Sequence, residues 1–372
     1  MKLQLIPKET VMRQAVCKMI GWLAMVAGLA SLVEGESQNA EPPKKPRVDL
    51  TVEPLLEQWS AAKAAEYLDV RANADEGTKG LNCHATYAYL PARPWLPAPG
   101  VKHAERRTAT EEWAAGLLKE PWSPDANGEK PVDGKVERRI TEALLTAAVL
   151  AQHDAITTGR LQPITRQSLD LMWKLQRADG GWHWLKTNEP PSATDDHYGV
   201  TMAAIGVGLA PEGYAQTPTA QTGLEKLRAY LSAHPPQHTH QRLMLLWADH
   251  CAGGILTEPE RQATVADLRA LQRPDGGWAM ASLAPWKRID QTPQDVTNGD
   301  GYGTGLVVYV LRVAGGVPAD DPAIRRAVDW IKTHQRQSGY WYTRSPKTND
   351  VLTTYAGTAY VVMALHACGE IR

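Results

Sequence analysis

Gln176-Arg177-Ala178-Asp179-Gly180-Gly181-Trp182, Gln272-Arg273-Pro274-Asp275-Gly276-Gly277-Trp278 and Gln335-Arg336-Gln337-Ser338-Gly339-Tyr340-Trp341 are versions of one heptapeptide, with Trp six positions after Gln. Each one ends an amphipathic helix. Leu169, Met172, Trp173 and Gln176 fall at i, i+3, i+4 and i+7, and Ile324, Val328, Ile331 and Gln335 at i, i+4, i+7 and i+11. The Asp-Gly-Gly or Ser-Gly stop supplies a C-terminal cap and turn, where Gly accepts positive φ. After each turn comes a second kind of helix, rich in Ala and Gly and almost uncharged, starting at Asp195, Asp300 and Leu352. A helix that is apolar all round is a buried one. The repeating unit is therefore an αα-hairpin with one outer and one inner helix.

Working outward, weaker copies complete the set. Outer candidates span Glu53–Ala72, Ala104–Lys119 and Thr222–Ala233; their inner partners are Leu81–Leu90, Arg139–Ala155 and His240–Gly253. No useful run of strand periodicity occurs. Repetition of this kind marks a stacked or closed array. Six hairpins whose inner helices are wholly apolar predict closure into a single all-α (α/α)6 toroid spanning residues 53–372.

The 372 residues carry a net charge of −1, with 43 % hydrophobic and 22 % charged residues. This is the balance of a globular protein and leaves no electrostatic footprint for nucleic acid. Phe is absent, so the aromatic complement is 13 Trp and 12 Tyr. Arg13 and Lys18 precede an uncharged run from Met19 to Val33, short for a membrane span and suited to a secretory signal. Residues 1–35 are read as a cleaved signal peptide, with a retained anchor as the rival, and 36–52 as a Pro/Lys-rich linker. The expected location is periplasmic or extracellular. Removal of Cys17 with the signal leaves Cys83, Cys251 and Cys368, enough for at most one disulfide.

The Gln-x-x-Asp/Ser-Gly-x-Trp repeat, in register with α-hairpins, resembles that of the squalene–hopene cyclase and protein prenyltransferase superfamily, most strongly from Arg166 onward. The resemblance implies that each Gln caps a helix end, stacks on the Trp and ties neighbouring outer helices together. It also implies an acid motif, Asp-x-Asp-Asp, whose middle Asp protonates an alkene or epoxide. The matching stretch here is Ala193-Thr194-Asp195-Asp196, which lacks the first Asp and places Asp195 at the proton donor's position. Alkene protonation needs a buried, neutral carboxylic acid in a site without water. His197 is placed to tune such an acid.

Other roles compete for the same residues. Aligning the inner helices on Tyr198, Tyr302 and Tyr355 sets Asp196 opposite Asp300 and Thr353, as recurring helix N-caps would be. Capping, catalysis and binding of a polar ligand are all open to Asp195 and Asp196. Tyr198, Tyr302 and Tyr355, with Trp184 and Trp286, are expected near one mouth of the toroid. There they either line an apolar cavity fit for cations or simply repeat a packing contact.

Metal and cofactor chemistry find little support. The prenyltransferase branch has Asp-x-Cys where this chain has Asp300-Gly301-Tyr302, which removes thiolate ligation of zinc. His234, His238 and His240 cluster around two prolines and read as a solvated turn. Gly80-Leu81-Asn82-Cys83-His84 is one Cys short of a haem-attachment motif. No phosphate loop, nucleophile elbow, H-E-x-x-H or thioester motif occurs. No metal and no cofactor are expected.

Two functions follow. One is an isoprenoid cyclase or isomerase with Asp195, Asp196 and His197 as catalytic residues and Trp184, Tyr198, Tyr302 and Tyr355 around an apolar isoprenoid or other lipid-like ligand. The other is a non-catalytic exported toroid that binds a lipid, glycan or protein. The resemblance implies two toroids flanking the active cavity of triterpene cyclases. A single toroid then needs a partner domain, a homodimer at its mouth or its own central cavity.

Overall fold

The structure, a computed structural model, describes residues 50–72, 83–97, 101–347 and 350–371. The expected signal peptide, the linker up to residue 49 and the Gly80–Asn82 part of the haem-like motif lie outside the described residues, as does the Cys83 side chain.

Among the described residues, twelve α-helices alternate between two layers. The outer ones are α1 (Ala61–Ala72), α3 (Val101–Leu118), α5 (Pro163–Lys174), α7 (Pro218–Ala233), α9 (Glu258–Ala270) and α11 (Pro322–Thr333). The inner ones are α2 (Cys83–Ala92), α4 (Gly134–Thr157), α6 (Asp196–Leu209), α8 (Thr239–Ala252), α10 (Gly301–Val313) and α12 (Asp350–Ala367). Among the described residues there is no strand, only two isolated bridges. Each inner helix packs on the next, and α12 returns to pack on α2, so the inner layer is a closed ring. Six hairpins and closure agree with the sequence reading.

Small residues set the inner spacing. A Cβ on Gly305 of α10 would collide with the α12 backbone at Tyr360 and Val361. One on Gly206 of α6 would collide with Ala148 of α4. Outer helices carry the polar faces, and four of them (α5, α7, α9 and α11) have proline in the first turn, where a missing N–H costs nothing.

The three Gln-to-Trp turns join consecutive hairpins in the same way. Gln176 Nε2 donates to Gly180 O within its own turn and to Gly223 O of α7, at 3.0 Å each. Gln272 does the same with Gly276 O and Ala323 O of α11. Gln335 bonds Gly339 O and Ser60 O, and its Oε1 accepts from Ser60 N at 2.6 Å, which closes the last hairpin onto the first. The indoles of Trp182, Trp278 and Trp341 are fully buried and donate back to Met172 O, Leu268 O and Ile331 O of the preceding outer helices. The glycine at the same place in each turn, Gly180, Gly276 and Gly339, has φ between +94° and +98° and lies against the next outer helix's backbone. No other residue fits both conditions.

The outer helix expected from Glu53 starts at Ala61 instead. Residues 54–56 run extended beside the last turn, where Leu56 N donates to Gln335 O (2.8 Å) and Gln337 N to Pro54 O (3.1 Å). That pairing occupies backbone groups a helix would have used.

The first two hairpins are held differently. Asp69 of α1 accepts from Arg93 Nε (2.8 Å) and from the Tyr89 hydroxyl (2.6 Å). Arg107 of α3 pairs with buried Asp154 of α4 at 2.9 Å. Beside it, the Arg107 guanidinium lies 2.9 Å from His153 Nδ1, and His153 Nε2 lies 3.0 Å from His103 Nε2. Arginine can only donate, so His153 Nδ1 accepts and its Nε2 carries the proton given to His103. Burial pushes His153 down to about 3.

Candidate functional site

A cavity of about 380 Å³ occupies the centre of the inner ring. Its wall comes from the inner helices, with Tyr198 and Met202 from α6, Trp247 from α8, Tyr302 from α10 and Tyr360 from α12. Trp184 and the loop from Leu185 to Ala193 form the rim. The one carboxylate on the lining is Glu189 at that rim, paired with Lys347 Nζ at 2.9 Å and 43 % exposed. That acid is wet and charge-paired, the opposite of an alkene-protonating group.

Polar residues on the lining include Tyr87, Thr141, Gln152 and Thr353. Tyr198, Tyr302 and Tyr360 share the wall with them: Tyr302 Oη lies 3.1 Å from Nε2 of His240, and the rings of Tyr302 and Tyr360 meet edge to face at 5.2 Å. Burial pushes Tyr360 up to about 12 and the other two higher, so all three stay protonated at neutral pH. Burial pushes His240 down to about 3, so it is neutral. His240 was expected in a solvated turn; it sits in the first turn of α8 against these tyrosines, because α8 starts at Thr239. His238 caps that helix, with Nδ1 accepting from Gln241 N, and His234 stacks on Tyr230. Among the described residues, no three His, Cys, Asp or Glu side chains are grouped to hold a metal ion. Cys251 and Cys368 are free thiols.

The structure brings Trp184, Tyr198 and Tyr302 to the cavity but takes Tyr355 elsewhere. Tyr355 packs on Tyr67 of α1 and donates to Leu68 O at 3.3 Å, between the two helical layers. The cause is helical register. Tyr198 is the third residue of its helix and Tyr302 the second, whereas α12 begins at Asp350 and makes Tyr355 the sixth. The cavity stripe of α12 is Thr353, Ala356, Tyr360 and Met363.

Asp195 is the N-cap of α6. Its Oδ1 accepts from His197 N at 3.0 Å, and its Oδ2 accepts from the Thr194 hydroxyl at 3.1 Å. It lines a second, minor hollow with His197, His238 and His240, which shares Pro191 and Tyr198 with the main cavity. His197 is buried there with neither ring nitrogen hydrogen-bonded, and burial pushes it down to about 4. Asp196 turns away to pair with Lys186 Nζ at 2.7 Å and Arg177 at 3.6 Å. The cap alignment therefore shifts by one. Asp195, not Asp196, corresponds to Asp300, which caps α10 by accepting from Gly303 N (2.7 Å) and Met280 N (2.6 Å). Burial nonetheless pushes Asp300 up to about 7. Thr353 lies inside α12 and bonds Thr343 O and Asp350 O.

Sequence reasoning missed Tyr360, Trp247 and Tyr87 on the wall. A signal existed in the i, i+3, i+7, i+10 spacing of Thr353, Ala356, Tyr360 and Met363, but every face of α12 is apolar, so nothing marked that stripe as the inward one.

Residues 298–372, which contain α10 to α12, match the squalene-hopene cyclase C-terminal domain family. A squalene–hopene cyclase from Bradyrhizobium diazoefficiens is 33 % identical over 114 residues, covering 29 % of this chain and 15 % of that protein. A sporulenol synthase from Bacillus subtilis is 31 % identical over 117 residues, covering 29 % and 17 %. The matched segment thus spans about a sixth of each relative's length.

Proposed function

We propose, for a chain that belongs to the squalene cyclase superfamily, that it binds one apolar, isoprenoid-like ligand inside its ring and does so without catalysing a reaction. The observation that carries this reading is the cavity itself: about 380 Å³, walled by Trp184, Tyr198, Trp247, Tyr302 and Tyr360, with its one carboxylate at the wet rim. Such a wall removes apolar ligand surface from water, worth about 25 cal/mol per Å². Its ring faces and neutral hydroxyls hold no acid in the protonated state that would start a cyclisation. Calorimetric titration with β-farnesene tests it, with saturable one-to-one binding expected; no binding would overturn it.

One observation favours a second reading, acid-catalysed isoprenoid isomerisation or cyclisation. Asp195 and His197, whose ring nitrogens have no hydrogen-bond partner, line one hollow with Tyr198. On that reading Asp195→Asn abolishes product formation from a polyprenyl substrate; on the first, no product forms with either protein and Asp195→Asn leaves ligand binding intact.

Export is part of the proposal and rests on the Met19–Val33 run behind Arg13 and Lys18. Among the described residues, no helix is long and apolar enough to cross a membrane. The rim loop is where a partner domain or second copy would meet the ligand.

A further inference from the structure

The loop that rims the cavity is fastened unevenly. At its feet, Leu185 N donates to the Thr141 hydroxyl of α4 at 2.9 Å, and Lys186 Nζ pairs with Asp196 of α6 at 2.7 Å. The buried Trp184 indole ties the feet together by donating to Ser192 O at 2.6 Å. The tip, Thr187 to Glu189, is held by one side chain. Lys347 Nζ donates to Thr187 O and pairs with the Glu189 carboxylate, each at 2.9 Å. Among the described residues, no other hydrogen bond or ion pair joins the tip to the fold outside the loop. Asn188, between the two acceptors, has φ +56°, a turn that lets both face one ammonium. None of residues 185–193 belongs to the apolar core, so burial adds little to these bonds in resisting opening.

This clasp crosses the ring. Going round the inner layer the order is α2, α4, α6, α8, α10 and α12, so α6 and α12 stand on opposite sides. The loop leads into α6 and Lys347 lies just before α12, so the bonds between them span the mouth. The loop lines the cavity from Leu185 to Ala193, and Ser345 lines it from the segment of Lys347. The geometry points to residues 185–193 being a strap across the mouth, with Lys347 as its latch. The strap swings about its feet when Lys347 releases Thr187 O and Glu189, and ligand enters and leaves past it. The gating role rests on the ligand-binding reading above; the latch does not. One ammonium, with three donors, can hold a carbonyl and a carboxylate at once. Glu189 stands at the wet rim, where water competes for the pair and makes release easy. The latch holds with or without ligand, so it sets the rates of exchange and not the affinity.

Trypsin reads the strap directly, because Lys186 lies within it and is exposed. Cleavage after a residue in a segment that opens reversibly tracks the population of the open form. Cleavage after Lys186 in the full protein, followed by mass spectrometry, should be at least about tenfold faster in Lys347→Met, which keeps the stem and removes both tip bonds. It should be about threefold faster in Glu189→Gln, which leaves Thr187 O bonded and serves alone if Lys347→Met does not fold. An unchanged unfolding midpoint in either variant shows that the opening is local. Stopped-flow uptake and release of N-phenyl-1-naphthylamine, an uncharged apolar fluorophore, then tests the gate. Both rates should rise together in the variants, with affinity within about twofold of the wild-type protein. Equal cleavage rates in all three proteins overturn the latch. Faster cleavage with unchanged uptake and release overturns the gate. No uptake by the wild-type protein removes the ligand reading and the gate with it, while the cleavage rates still decide whether Lys347 latches the strap.

Discussion

From α5 onward, three outer helices are tied to the next chiefly by uncharged groups, a Gln amide spanning two backbone carbonyls and an indole N–H bonded to its own helix, with the Arg269–Asp321 pair added between α9 and α11. Across α1 to α4 the clasps are ionic or titratable, with Asp69 on Arg93 and Tyr89, Arg107 on Asp154, and His153 on His103. The same alternation of inner and outer helices results. The difference teaches that the toroid is specified by the apolar inner ring and the hairpin period, whereas the clasp chemistry is exchangeable.

The largest effect is expected in the uncharged region. Trp278→Ala opens a large cavity between hairpins and removes the indole bond to Leu268 O, so it should destabilise by about 3–5 kcal/mol, read by chemical denaturation. An unchanged midpoint would show that the turn does not bind adjacent hairpins together. Its counterpart in the polar region is Asp154→Ala, which takes the buried carboxylate from Arg107, leaving it only the half-exposed Glu111, and leaves Gln162 N without its acceptor. A loss of about 3 kcal/mol is expected. If that loss disappears at high salt, the pair is solvated and the contrast between regions weakens.

Gln335→Ala comes next. Its side chain is fully buried and makes three hydrogen bonds, two of them to Ser60 at the ring closure. About 2 kcal/mol is expected, with a smaller loss for Gln272→Ala, which also makes three hydrogen bonds, two of them to α11 at Ala323 O and Arg326, but whose side chain is less enclosed. Equal losses would mean that closure onto α1 adds nothing special.

Acid should act first where a buried histidine is held neutral. From an ordinary 6.5, His153 is held down at about 3 in the first region, and His197 and His240 at about 4 and about 3 in the second. Below pH 6.5 the unfolded chain takes up a proton there that the folded chain does not. Stability present above 6.5 is therefore lost as pH falls towards 3, at up to about 1.4 kcal/mol per pH unit. Asp300, raised to about 7, has the opposite sign: its contribution is complete below pH 4 and is lost as pH rises through 7. Amide exchange at pH 4.5 should therefore show α4, α6 and α8, which carry His153, His197 and His240, losing protection before α11. Simultaneous loss would mean that the ring opens as one unit whatever holds it.

The two regions also differed in how well they could be read. The Gln-to-Trp turns are local, since seven consecutive residues hold the cap, the positive-φ glycine and the indole, and so the hairpin period was visible. The His103–His153 contact joins residues 50 apart whose types are ordinary for any helix surface. Nothing in their local sequence marks it. Within the site, Tyr198 and Tyr302 were legible because they follow recognisable Asp caps, while Tyr355 and Tyr360 sit on a helix apolar all round, with no polar face to orient it. Asp195 carried both a cap's and an acid's signature in sequence, and only the structure shows that it lines the minor hollow and not the main cavity.

The claim that the ring encloses a ligand site is tested most directly by filling it. Ala356→Trp projects an indole from α12 into the cavity, and Val70→Trp places one on the exposed surface of α1, where Val70 is 53 % exposed. Calorimetric titration with β-farnesene should give one-to-one binding for the wild-type protein and for Val70→Trp, and at least a tenfold loss for Ala356→Trp. Unchanged binding by folded Ala356→Trp, or none by the wild-type protein, would contradict the account.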